Sequence, residues 1–265
     1  MKRIYQIMIT SLSLFQLAGA SQIYEGFNVD DAAADERRGF MTSWHRLAGE
    51  VGISRSGLSL PGLKPSSGAL ALTARGEALA QIEADVTGNY YGSFRVRSSR
   101  LSNDSIIGLL LAPPNLDELT PRSANVSILV KRWRDDFGAI LSDGSAAQTS
   151  GGAAIRENET YLVLFKVQDG SAGQRLIESW VLNADQVGHF AENDFTEKAL
   201  NAAKLGRDAG SVMQRTSLNP KRGTRLSLRR GDVVACIAKL NPATQFDEIN
   251  ITTTSLRDAA GLLEK

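Results

Sequence analysis

The rhythm of this chain constrains its fold more than any single motif. Short runs of β-branched and aromatic residues recur along it. Each is closed by Gly, Asn, Asp, Pro or Ser, and no amphipathic helices alternate with them. The runs predict strands at about 22–28, 69–75, 79–85, 90–98, 105–112, 125–133, 137–141, 159–168, 174–182, 224–229, 233–239 and 245–251. Asp143-Gly144 and Asp169-Gly170 supply turns, and Pro113-Pro114 ends a strand because proline cannot continue a ladder. One helix is predicted over 196–205, with Thr196 as N-cap and Gly206 as its stop. Residues 29–38 read as a turn of helix or a polar loop. Strands without intervening helices predict an all-β, antiparallel two-sheet jelly-roll sandwich with one short helix.

Such a fold must be held by burial. Cys236 is the only cysteine, so no intrachain disulfide can form. It stands in the apolar run Val233 to Ala238, where a buried inert thiol is expected. Phe27, Phe94, Val163, Phe165, Ile249 and Ile251 are the predicted core. The N-terminus has the pattern of a secretory signal peptide. Lys2 and Arg3 precede an apolar stretch from Ile4 to Leu17, and Ala18-Gly19-Ala20 is a small-residue cleavage site before Ser21. The stretch is too short and too polar for a bilayer span, which needs ~20 apolar residues. Residues 21–265 are therefore expected to form one domain, secreted into the periplasm or beyond, with no membrane span after cleavage. The formal charge of +1 drops by two when Lys2 and Arg3 leave, and neither value points to nucleic acid or a membrane surface.

A resemblance emerges from the order of five segments. They are Tyr24-Glu25-Gly26-Phe27, the run Tyr90 to Arg97, the run Thr160 to Val167, Ser179 to Asn183, and Phe246 to Ile251. Together they resemble the laminin-G-like, concanavalin A-like lectin/glucanase jelly rolls of secreted bacterial proteins, across nearly the whole of residues 21–265. The resemblance implies a concanavalin A-like sandwich and a carbohydrate partner. The chain departs from that pattern in three places. Gly39 to Trp44 is poor in glycine, 197–232 is an added excursion, and Leu256 stands where an aromatic is often found.

The catalytic patterns of such folds are missing. Glucanases carry Glu-x-Asp-x-x-Glu, whose alternate residues share one face of a strand. Here Glu83 and Asp85 have no third carboxylate after them. The lyases use an Arg, a Gln-x-His and a Tyr, but neither His45 nor His189 follows Gln at that spacing. Asp247 and Glu248 are adjacent, and on a regular strand they would face opposite sides. Structural zinc is ruled out by one Cys and two distant His. Calcium needs only oxygens, and Glu25 on the first strand and Asp247 on the last are the candidate ligands. The preferred reading is that Asp247 meets a turn or backbone amides and Glu248 meets water.

Sugars stack on exposed aromatic faces, and Trp44, Trp133, Trp180, Tyr90 and Tyr91 are the candidates. Trp133, amid the charges from Lys131 to Asp136, is the first choice for an exposed platform, with one of Tyr90 and Tyr91 facing away from the core. Arg222, Arg225, Arg229 and Arg230 lie in a basic excursion that could hold an anionic polysaccharide. The bland alternative is a solvated surface. No aromatic interleaves these charges, so a single-stranded nucleic acid would lack its stacking platform. The sequence thus predicts a secreted binding module with a glycan partner. The alternatives are an extracellular hydrolase or lyase with an unfamiliar site, and a structural surface protein.

Overall fold

The computed structural model describes residues 22–27, 37–101, 105–114, 119–133, 136–142, 147–150, 152–170, 175–239 and 243–261. The predicted leader and the segment 29–36 lie outside them. In chain order the elements are β1 (Gln22–Glu25), β2 (His45–Ser54), β3 (Ala69–Gln81), β4 (Tyr90–Ser98), β5 (Ile106–Ala112), β6 (Val126–Trp133), β7 (Asp136–Ser142) and β8 (Ala147–Ser150). Then follow β9 (Thr160–Asp169), β10 (Arg175–Leu182), α1 (Ala184–Glu192), α2 (Glu197–Ala202), β11 (Lys204–Leu205) and β12 (Ser211–Val212). The last are β13 (Gln214–Leu218), β14 (Val233–Lys239), β15 (Ala243–Thr252) and α3 (Leu256–Ala260).

β11 and β12 pair in parallel as a separate two-stranded sheet, and the other thirteen strands form one antiparallel sheet that folds over on itself. Its order is β13-β10-β9-β4-β15-β3-β14-β5-β6-β7-β8, with β1 on β15 and β2 on β3. The fold-over is made by β3. Leu70 to Thr73 pair with β15, while Glu77 to Gln81 pair with β14. Between these halves Arg75 has φ of +67°, and a Cβ on Gly76 would stand 2.8 Å from the Leu72 Cβ. The two strands predicted over 69–85 are therefore one bent strand rather than a hairpin. The chain kinks at Arg75-Gly76 without reversing, because β2 pairs with both halves along the other edge.

Side chains alternate across this sheet as the period of two requires. Phe94, Val163, Phe165 and Phe246 from the first layer meet Leu109, Leu111, Ile128, Val130 and Cys236 from the second in one central core. All six predicted core residues are buried, and burial pushes the Cys236 thiol up. Two smaller clusters lie outside. On the first layer, Leu162, Leu164, Trp180 and Leu182 are covered by Val187 and Phe190 of α1, Leu200 of α2 and Leu256 of α3. On the second, Leu110, Leu129, Val233 and Ile237 are covered by Leu119 and Ala124.

Several elements differ from expectation. The predicted helix 196–205 shortens to α2, and α1 and α3 join it. The capping box of α1 is written in the chain: Gln186 N donates to Asn183 Oδ1, and Asn183 N donates to Gln186 Oε1. The predicted strand 224–229 joins no ladder of the sheet; Leu228 makes only an isolated bridge with Val86, which lies between β3 and β4. Leu226 and Leu228 are indeed buried, but Arg225 closes the segment onto Asp232 through two bonds of 2.7 and 2.9 Å.

Candidate functional site

The acidic pair of the last strand sits where β15 loses its regularity. Asp247 pairs with Arg95 and Asn250 with Ser93, so Glu248 and Ile249 together oppose Phe94 alone. This is a β-bulge, and Glu248 occupies its left-handed position with φ of +49°. The bulge turns both carboxylates to the outer face of the first layer. That corrects the expectation that they face opposite sides and that Glu248 meets water; it is 6% exposed.

The two carboxylates have different partners. Asp247 accepts from Leu58 N at 2.7 Å, Ser66 Oγ at 2.8 Å and Glu248 N at 2.8 Å, so it pins the 55–66 loop against the sheet. Glu248 Oε2 accepts from the Tyr24 phenol at 2.7 Å, while its buried Oε1 has no hydrogen-bond partner among the described residues. Beside them the buried Arg95 donates to the carbonyls of Leu58 at 2.8 Å and Lys64 at 2.6 Å. Burial pushes Asp247 up to about 6, against the pull of its donors and Arg95. Burial likewise pushes Glu248 up to about 7, with Arg95 and Tyr24 opposing.

Glu248 forms part of the wall of a cavity of about 190 Å³, open on one side. Three elements meet there. Gln22 and Tyr24 come from β1, Glu248 and Asn250 from β15, and Asp258 to Gly261 from α3, with Arg38 and Lys64 at the rim. The walls are fixed by their own bonds. Gln22 Nε2 donates to Asn250 Oδ1 at 3.2 Å, and Asn250 Nδ2 donates to the carbonyls of Asp258 and Ala259. Ser93 Oγ donates to the Ala259 carbonyl at 2.6 Å, and Lys64 N donates to the Gly261 carbonyl at 3.0 Å. Lys64 Nζ lies 5.7 Å above the Tyr24 ring. The site therefore offers a phenol, an amide, a near-neutral carboxyl and two cations around a space smaller than the ~300 Å³ at which pockets for drug-sized ligands begin.

The residues singled out from sequence fall elsewhere. Glu25 and Asp247 lie on opposite faces of the paired strands β1 and β15 and do not face one another. Glu25 opposes the inward-facing Ile249 and accepts from Trp44 Nε1 and Phe27 N, with Arg37 at 2.9 Å. Asp247 lies on the opposite face. Among the described residues no group of three His, Cys, Asp or Glu gathers to hold a metal. Trp133 ends β6, and its side chain lies outside the described residues. Trp44 is half-buried against Phe27 and Phe40, and Trp180 is buried with its indole donating to Asn201. Tyr90 and Tyr91 do face opposite ways. Tyr90 enters the core and donates to the Leu226 carbonyl, while Tyr91 packs partly under the helical layer. Arg225 is committed to Asp232, whereas Arg222, Arg229 and Arg230 are exposed on neighbouring turns and do not line the cavity. Glu83 and Asp85 follow the end of β3 and are exposed, with Asp85 accepting from Arg230 N.

Sequence reasoning missed Gln22, Tyr24, Arg38, Lys64 and Asp258 as neighbours of Glu248. The one local signal was an acid inside an apolar strand. No helix among the described residues is long and apolar enough to cross a membrane.

No family model matches the sequence. No curated protein matches it either. Solved structures are similar in outline. One is domain 4 of AbnA, a GH43 extracellular arabinanase from Geobacillus stearothermophilus, in complex with arabinotriose. It has 11% identity over 91% of this chain and 98% of that one, with a TM-score of 0.47. The Emp47p carbohydrate recognition domain has 10% identity over 88% and 95%, with a TM-score of 0.46. The alginate lyase Aly36B has 12% identity over 92% and 99%, with a TM-score of 0.44.

Proposed function

We propose that this protein is a secreted carbohydrate-binding module and that the cavity between β1, β15 and α3 is its sugar site. One observation carries the reading. A small open cavity is lined by a phenol, amides, carboxyls and cations, and its walls are fixed by hydrogen bonds to one another. Such a lining suits a ligand that presents many hydroxyls in a fixed pattern. Elsewhere on the outer face of the first layer, α1, α2 and α3 already cover the apolar rows. Secretion rests on the leader pattern that ends at Ala20.

A second reading is an extracellular hydrolase or lyase. It is favoured by Glu248, a carboxyl held near neutrality beside a cavity that also carries Asp258. One experiment addresses both. Residues 21–265 are screened on a glycan array while reducing-end release is assayed on the same sugars. Binding without release, lost on Tyr24→Ala and kept on Arg222→Ser, supports the module. Release that is lost on Glu248→Gln supports the enzyme. Binding that survives Tyr24→Ala moves the site elsewhere.

A further inference from the structure

We infer that the cavity selects a sugar acid, with the ligand carboxylate held by Arg38 and Lys64 at the rim and its hydroxyls turned toward Tyr24 and Glu248. The inference rests on the sugar-site reading above and adds the ligand's charge.

Arg38 and Lys64 are both exposed at the rim of the cavity, and the Arg38 side chain has no ion-pair partner among the described residues. Of the two acids, Asp258 accepts from Ser255 Oγ at 2.8 Å and so serves the first turn of α3. The other, Glu248, is buried, accepts from Tyr24, and is held near neutrality by its burial. The remaining charged groups near Glu248 are Arg95 from β4, committed to two backbone carbonyls, and Asp247, committed to the 55–66 loop. The open side therefore carries two cations against the single carboxylate of Asp258, above a Glu248 carboxyl that burial has raised to about 7.

The aromatic geometry points the same way. A neutral sugar is commonly held by stacking on a ring face. Here Lys64 Nζ already stands over the Tyr24 ring, so that face presents a cation instead. The planar guanidinium of Arg38 offers a paired set of donors, which matches a carboxylate better than a single hydroxyl.

Proton linkage gives the inference its own signature. An anionic ligand near Glu248 favours the protonated form of that carboxyl, so binding near neutral pH takes up a proton, and affinity falls as pH rises. A neutral sugar brings no charge to repel the ionised Glu248, so its affinity depends on pH less steeply.

The test is calorimetric titration with oligogalacturonate and oligomannuronate, each beside its neutral counterpart, at about pH 6 and about pH 8. At least one acid oligomer should bind about ten-fold or more tightly than its neutral counterpart. Arg38→Gln should cancel that preference. Titration in buffers of different ionisation enthalpy should show proton uptake by the native protein that is absent from Glu248→Gln. Equal affinity for acid and neutral oligomers, or a preference that survives Arg38→Gln, overturns the inference. Neutral binding that Tyr24→Ala abolishes would overturn it while leaving the sugar-site reading intact. Binding of no oligomer counts against the sugar acid, and a blank glycan array would then remove the sugar site as well.

Discussion

The Tyr24 phenol donates to Glu248 Oε2 across 2.7 Å, joining the first strand to the bulge of the last. The bond spans 224 residues of sequence and closes the cavity wall. Tyr24→Phe removes the donor and keeps the ring. It should cost ~1–2 kcal/mol in denaturant unfolding, since a buried acceptor is left unpaired. A loss below ~0.5 kcal/mol would show that solvent replaces the phenol.

Glu248→Gly should separate stability from binding. A non-glycine residue in the left-handed region costs ~1–2 kcal/mol, and glycine relieves that strain. The same change removes a buried carboxyl, at the loss of one hydrogen bond of ~1 kcal/mol. The expected outcome near pH 8 is a more stable protein that no longer binds its ligand, measured by melting and by titration. A lower melting temperature would mean that the Tyr24 bond outweighs the backbone strain.

Stability should rise on mild acidification. Asp247 and Glu248 are raised to about 6 and about 7 in the folded protein, while unfolded carboxyls titrate near ~4. Between these values the folded state holds protons that the unfolded state has released, so lower pH favours folding. Above about 7 both states are ionised and the full burial penalty stands; below ~4 both are protonated and it vanishes. The limiting slope is ~1.4 kcal/mol per pH unit for each group. The melting temperature should therefore climb from about pH 8 to about pH 5, and Glu248→Gln should flatten part of that climb. A wild-type profile as flat as that of the variant would refute the assignment.

Gly92 and Phe165 are cross-strand partners, and a Cβ on Gly92 would overlap the Phe165 ring. Gly92→Ala should cost ~1–3 kcal/mol by overpacking, and Phe165→Ala ~3–5 kcal/mol by opening a cavity. In the double variant the new methyl lies in the vacated space, so the combined loss should fall short of the sum. Strict additivity in denaturant unfolding would place the ring away from Gly92.

Export should expose a new N-terminus. The Ala18-Gly19-Ala20 pattern predicts that sequencing of the exported protein begins at Ser21 or within a few residues of it. An exported species that still carries Met1 would remove the leader assignment.

Residues that alternate in one strand made much of the fold legible. Val163 and Phe165, or Ile249 and Ile251, declare an inner face by spacing alone, and all four are buried. β2 escaped notice because Gly49 and Gly52 interrupt its run and none of its residues is buried. Leu226 and Leu228 misled in the other direction. Their alternation is real, but the Arg225 to Asp232 ion pair folds their backbone away from a ladder. The site was harder to see. Its parts come from residues 22, 38, 64, 248 and 258, and only strand register and the docking of α3 bring them together. The bulge at Glu248 leaves no local mark in the sequence beyond the acid itself.

The pairing of β1 with β15 also sets how the molecule responds to force. Gln22 opposes Thr252 and Glu25 opposes Ile249, so the outer ends of the two strands lie side by side. Tension applied between Gln22 and Thr252 loads the ladder one rung at a time, as in unzipping, instead of shearing all rungs together. Tyr24 is the third of the four rungs from that end and leaves Glu248 as the ladder peels. Such a pull would thus dismantle the cavity wall while the central core still held.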